Sequence, residues 1–479
     1  MVIDRFKDVV GNDNVEVSAH ILDMYAWDYS FTSPRKPLAV IRPADTDVIK
    51  DIVDLANETR TTLIPTSSGF PKFHGDTVPR IPGIVVDLSH LDKVLRIDRR
   101  NKTAMIEPGV TFGKLQKALE PEGLVPYTPL LPRSTKSVLA SSLEREPITI
   151  PKDHWDYNDP LAGGQVVIGD GHIQGFGDSA GWSKEELASG QFIPVLPSGP
   201  SSIGWLTLVQ GAQGTLGIVR WASIRCRTKP SLQKPYFIAA DNSQTLLPFL
   251  QKMLKVRFAD ELFIVNGLTL ASLFFDDPEK ISKFKTSLPP WVLFIALAGY
   301  ERYPEEELAW KEEQAKGAAL EMGQTLQDAV SGLSAVSFLR LLSEAAEKDY
   351  RLRFKGLCQV LPFSTTLDRV PELTAAVIKI ASQNGYAPAD VGMYFQPVLQ
   401  GCECQAEVIF PYNAGEKMLA EKIFTASAYE LSTQGAYYSR PYGILADITY
   451  RDAGVLNSLR KIKGIFDPND IMNTGNLHY

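Results

Sequence analysis

Residues 37–66 carry the feature that most constrains this chain: strand, helix and strand in succession, running straight into a loop rich in Ser and Gly. Pro37-Leu-Ala-Val-Ile-Arg reads as a short strand, and Pro43-Ala-Asp-Thr-Asp supplies capping residues that open a helix. Val48, Ile49, Ile52, Val53 and Ala56 then recur at helical spacing, and Thr61-Thr-Leu-Ile-Pro begins the second strand. A strand–helix–strand unit needs a sheet with a helix packed on its face. With 479 residues the chain also exceeds the size at which a single core stops growing, so two or more domains are expected.

After the Thr66–Pro79 loop, Gly83-Ile-Val-Val-Asp-Leu reads as another strand, and Val94–Asp98 with Thr103–Glu107 as a hairpin-like pair. A second amphipathic helix starts in Gly109-Val-Thr-Phe-Gly-Lys-Leu. Residues 163–225 are rich in strand and turn signals, with strand candidates at Gln165–Ile168, Ile173–Phe176 and Leu206–Val209. From about residue 228 the texture changes. Charged helices (Glu305–Glu313, Phe338–Asp349) alternate with strands (Trp291–Ala298, Glu407–Phe410), which predicts a separate α+β domain. The final fifty residues return to helix and loop.

A net charge of −7 gives no footprint for a polyanion, so nucleic acid is not an expected partner. Four cysteines are too few for a disulfide framework and fit a reducing cytoplasm; the Cys402-x-Cys404 pair is too sparse for a metal or Fe–S site. No metal is expected. The first residues lack a signal-peptide pattern and no apolar run is long enough to span a bilayer, which predicts a soluble, cytoplasmic protein.

Taken in order, the motifs resemble the vanillyl-alcohol oxidase / p-cresol methylhydroxylase (PCMH-type) superfamily, which includes glycolate and D-lactate dehydrogenase-like flavosubunits. They are Ser67-Ser-Gly-Phe-Pro-Lys-Phe-His-Gly, Gly83-Ile-Val-Val-Asp-Leu-Ser, Glu107-Pro-Gly-Val-Thr, Ser137-Val-Leu-Ala-Ser-Ser-Leu-Glu-Arg-Glu, Asp153-His-Trp, Gly211-Ala-Gln-Gly-Thr-Leu-Gly-Ile-Val and Phe466-Asp-Pro-Asn-Asp-Ile-Met-Asn-Thr-Gly-Asn-Leu. The resemblance implies an α+β fold: a two-subdomain FAD-binding domain over 1–227, an α+β cap over 228–430, and a C-terminal segment, 431–479, returning to the first domain. It implies an FAD-linked oxidase or dehydrogenase, acting on CH–OH or CH–CH donors, that oxidises a CH–OH group (alcohol or 2-hydroxy acid) or a benzylic carbon of a small anionic or aromatic substrate. The hydride goes to flavin N5 and the electrons to a separate acceptor.

A diphosphate needs several converging main-chain N–H groups, which Gly and Ser permit at close range. The expected cofactor residues are Pro65, Thr66, Ser67, Ser68, Gly69, Phe70, His74 and Gly75 in the first loop. Ser137, Ser141 and Glu144 follow, then Gly214, Gly217 and Ile218, and finally Asn473 from the tail. FAD is expected to be noncovalent, because the region 394–407 has no tethering or metal-binding histidine.

For chemistry the expected residues are Arg440, Tyr438 and Tyr442 in Ala436-Tyr-Tyr-Ser-Arg-Pro-Tyr, with His154 as the imidazole near the flavin. Arg133, with Lys136, stands in a segment with no acid and is expected to favour an anion. The alternatives are a flavoprotein subunit of a larger electron-transfer complex, with an Fe–S protein, cytochrome or flavoprotein as redox partner in a homo- or hetero-oligomer, and a catalytically degenerate FAD-binding protein.

Overall fold

The computed structural model describes residues 2–180 and 204–477, together with Trp182 and Glu186. The opening unit forms as its pattern predicts. The helix Val48–Thr59 presents Ile49, Ile52, Val53 and Ala56, all fully buried, to a four-stranded sheet. Asp45 caps its start, the carboxylate accepting the N–H groups of Asp47 and Val48. The strand order is Val15–Glu16, Ala39–Ile41, Gly83–Asp87, Thr62–Thr66, parallel except for the first. The C-terminal tail extends the far edge of this sheet: Leu63 donates to the Ile471 carbonyl at 2.7 Å, and Asn473 donates to the Leu63 carbonyl at 2.9 Å.

A second, antiparallel sheet contains Val94–Asp98, Thr103–Ile106, Gly217–Thr228, Leu161–Ile168 and Ile173–Gly177, with Leu124–Pro126 paired to the long Gly217–Thr228 strand. Every residue of Leu161–Ile168 is buried, including Gln165, whose side-chain oxygen accepts from Arg220 at 2.9 Å and Trp221 at 3.3 Å. The expected strand at Leu206–Val209 is instead the short helix Trp205–Val209. Four residues between turns carry no period of their own, and Leu206 is buried here among the residues packed against that sheet.

The third sheet is antiparallel throughout, in the order Leu232–Ala240, Trp291–Gly299, Ala259–Asn266, Gly392–Val398, Glu403–Tyr412, Leu357–Thr365. Its strands alternate between two cores. Tyr236, Ile238, Leu293 and Ile295 pack with the helices Leu247–Val256 and Val370–Gln383, whereas Phe237, Val292 and Phe294 pack with Gly267–Phe274 and Ala335–Leu342. The helix expected over Phe338–Asp349 ends at Leu342. Beyond it the chain pairs with the loop at 132–134, where Ser134 donates to the Ala346 carbonyl at 2.6 Å and Ala346 to the Pro132 carbonyl at 2.9 Å. Among the described residues, no helix is long and apolar enough to cross a membrane.

Candidate functional site

A cavity of ≈ 1500 Å³, counting its mouth open to solvent, lies where the three sheets meet. One arm is apolar, lined by Val166, Ile168, Phe176, Trp205, Ile218 and Phe466. The middle runs between two loops, 65–68 and 211–214. Gly214 has φ +72°, and a Cβ there would lie 2.5 Å from Pro65 Cγ, so the two loops close on each other only with glycine at that position.

The other end is charged and aromatic. Arg440 Nη1 donates to Glu407 Oε1 at 2.9 Å, and its Nη2 lies 3.6 Å from Glu146 and 3.9 Å from Glu144. Arg351 donates to the second Glu407 oxygen at 2.9 Å. Lys136 pairs with Glu144 and reaches Glu146 at 3.3 Å. His74 Nε2 stands 3.5 Å from Glu144 Oε2, and its ring stacks on Tyr442 with centroids 4.3 Å apart.

Burial by itself would raise these carboxyl groups, but their neighbours win. The Lys136 ammonium, a hydrogen bond from His74 and the Arg440 guanidinium hold Glu144 well below its ordinary range, and Arg351 and Arg440 do the same, less strongly, for Glu407. Burial, together with Glu144 and Asp76, pushes the Tyr442 phenol far up, so it stays protonated at any working pH. The His74, Glu144 and Glu146 ligand atoms all lie within 4.8 Å of one another, but the Lys136 ammonium already bridges both carboxylates.

Residues 37–139 match the model of a family described as an FAD binding domain. Over 248 residues the chain is 28% identical to the glycolate oxidase subunit GlcD of Bacillus subtilis; the match covers 50% of this chain and 48% of that protein, about half its length. It is 22% identical to the D-2-hydroxyglutarate dehydrogenase of Stutzerimonas stutzeri, over 99% of this chain and 98% of that one. Among solved structures it superposes on p-cresol methylhydroxylase with TM-score 0.82 at 16% identity, covering 100% of this chain and 96% of that chain. Residues 37–139 thus form an FAD-binding domain, within a chain that has the fold of p-cresol methylhydroxylase.

The residues of the cavity fit FAD. Ser67, Ser68 and His74 line it, and among the described residues their main-chain N–H groups meet no protein acceptor. Such donors suit a diphosphate, the apolar arm suits an adenine, and the wide charged end suits a redox ring next to a substrate. When bound, FAD supplies the two-electron acceptor.

Of the expected cofactor residues, Pro65, Thr66, Ser67, Ser68, His74, Glu144, Gly214, Gly217 and Ile218 line the cavity. Others stand behind it. Gly69 donates to the Thr135 carbonyl at 2.9 Å, the Phe70 ring meets Tyr25 edge-on, and the Gly75 N–H is used by Asp28 at 2.5 Å. Ser137 caps the helix Val138–Leu143, donates to the Pro108 carbonyl and accepts from Ala140, while Ser141 donates to Glu146 at 2.6 Å. The Asn473 amide donates to the carbonyls of Asp76 and Gln213 at 2.8 and 2.7 Å, tying the tail to both loops.

Among the expected chemical residues, Arg440, Tyr442 and Arg133 line the cavity; His154 and Tyr438 do not. His154 is buried, and its Nδ1 accepts the Leu399 N–H at 3.2 Å, a join between the 150s loop and the turn Leu399–Gly401. Burial lowers its pKa despite Asp159 nearby, so the ring is neutral and structural. The Tyr438 hydroxyl donates to the Ala428 carbonyl inside the core.

Of the two expected cations, Lys136 is ion-paired with Glu144 and Glu146, whereas Arg133 lines the cavity with its guanidinium over the Phe73 ring. Glu146, Glu407 and Arg351 escaped the sequence reading. Glu146 was visible as the last acid of Leu143-Glu-Arg-Glu, but Arg351 and Glu407 lie 56 residues apart and meet only through the third sheet.

Proposed function

We propose that this FAD-linked oxidoreductase oxidises a CH–OH group or a benzylic carbon of a small organic substrate seated at the charged end of the cavity, passing electrons to a separate acceptor. The observation that carries the reading is the cluster of Arg440, Glu407, Glu146, Glu144, His74 and Tyr442 at one end of a cavity whose remainder suits a dinucleotide. The relatives' printed activities, on glycolate, D-2-hydroxyglutarate and 4-cresol, support hydroxyl-bearing donors. The unit 228–430 is the cap that carries Arg351 and Glu407, with 1–227 and 431–479 forming the cofactor domain.

In this reading the chain's own residues bind and orient the reactants. The pre-paired Arg440 and Glu407 keep one fixed geometry, Tyr442 offers a protonated hydroxyl, and Arg133, over the Phe73 ring at 5.4 Å, lines the approach. FAD is noncovalent, since His74 is held by Glu144 and Tyr442. An absorption spectrum before and after acid precipitation, and on anaerobic addition of hydroxy acids and aromatic alcohols, tests all of this. Yellow colour released by acid and bleached by a donor is expected; a flavin that no donor in the panel bleaches defeats the reading. A second reading, a flavosubunit of a larger redox complex, draws on the 4-cresol dehydrogenase relative, whose name is that of a flavoprotein subunit. Fast turnover of the isolated chain with O₂ would count against it.

A further inference from the structure

A second cavity, of ≈ 1040 Å³, abuts the first and shares four wall residues with it: Phe73, His74, Val360 and Tyr442. The His74 and Tyr442 rings lie 13° from parallel along that partition, so the imidazole borders both spaces. Its Nε2 faces Glu144 at 3.5 Å, which favours the tautomer with hydrogen on Nε2 and leaves the Nδ1 lone pair unengaged among the described residues.

The outer chamber has apolar walls from Phe31, Pro362, Phe424 and Leu445. Its charged groups are Arg80, Glu421 and Asp447, both carboxylates being exposed. A carboxylate-bearing substrate would therefore meet one guanidinium against two acids here, and ion-paired Lys136, Arg351 and Arg440 further in. Gln359 also lines the chamber, and among the described residues its buried side-chain oxygen has no hydrogen-bond partner.

We propose that this outer chamber seats the body of the substrate, an uncharged alcohol with an aromatic or aliphatic body, and that His74 Nδ1 accepts the proton of its hydroxyl. The proposal rests on the reading of the protein as a CH–OH oxidoreductase. In the step, the O–H bond breaks and its proton passes to His74. The carbinol C–H bond breaks, its hydrogen leaving with the electron pair to oxidised FAD, and the C=O bond forms. The substrate loses two electrons and the cofactor gains two. Glu144 steadies the imidazolium through Oε2, the oxygen that Lys136 and Arg440 also face, with Asp76 nearby.

The FAD-loaded protein can be titrated with 4-nitrophenol, whose colour reports its own ionisation, near pH 6, where the free compound is mostly neutral. The wild type should bind it as the phenolate. His74→Gln should bind it neutral, and Thr425→Trp, which fills only the outer chamber, should bind it at least tenfold more weakly with FAD content unchanged. Glycolate should not displace it. A phenolate signal that persists in His74→Gln overturns the proposal, as does unchanged affinity in Thr425→Trp, displacement by glycolate, or no binding at all. A protein that takes up no FAD would sink the oxidoreductase reading instead; the 4-nitrophenol titration of the chamber can be read without flavin.

Discussion

Arg440 and Glu407 meet at 2.9 Å, with side chains only 3% exposed, although 33 residues separate them. Glu407 comes from a central strand of the third sheet and Arg440 from the loop after the helix Lys417–Thr433, so the pair ties that loop to the sheet at the cavity wall. Removing one partner of such a pair leaves a buried charge uncompensated. Glu407→Gln should therefore cost about 3–5 kcal/mol of stability, read as a lowered urea midpoint. A midpoint unchanged from the wild type would mean that the guanidinium finds water or another partner.

The same carboxylates set the acid limit of the fold. Burial raises Glu146 and Glu407, but Lys136 and Arg440 on one, and Arg351 and Arg440 on the other, outweigh it and leave both pKa values depressed in the folded chain. A depressed folded pKa gives stability that is present above the unfolded value, near 4.3, and lost as pH falls through the folded value. Stability should drop steeply below about pH 4.5. Glu146→Gln should flatten that dependence in tryptophan-fluorescence unfolding curves taken between about pH 5 and 2.

Cysteine accessibility offers an independent check on the packing. Cys226, Cys358 and Cys404 are buried, and burial pushes the Cys226 thiol up to about 12 and the other two higher still. Cys402 is exposed. A chromogenic thiol reagent should therefore titrate one thiol in the native protein and four after denaturation, matching the four cysteines of the chain. Rapid native reaction of a second thiol would contradict the sheet packing.

The tail should matter for both stability and cofactor retention. Met472 is fully buried where the tail pairs with the edge of the first sheet, and Asn473 donates to the carbonyls of Asp76 and Gln213 on the two cavity loops. Met472→Ala should cost about 2–5 kcal/mol. Asn473→Ala should leave the fold intact but weaken FAD retention severalfold, measured as flavin released on gel filtration. Equal retention would show that the loops hold their positions without the tail.

How much of this was legible in advance follows from the range of the interactions. The Val48–Thr59 helix with its flanking strands and the Trp291–Gly299 strand announce themselves, because burial period and capping act over a few residues. The ordered motifs likewise marked the loops at 65–75 and 211–218 as cofactor contacts, and most of those residues line the cavity. Local pattern could not tell that Leu206–Val209 coils into a helix, nor that His154 faces the Leu399 N–H and not the cavity.

Sequence alone thus determined the local elements and the composition of the two cavity loops, since short-range periodicity and main-chain geometry decide those. Tertiary structure alone decided the electrostatics of the reacting end. Coulomb interactions depend on distance in space, and only the fold brings Glu407, on a strand of the third sheet, to Arg351 and Arg440, which come from a turn and a loop outside it.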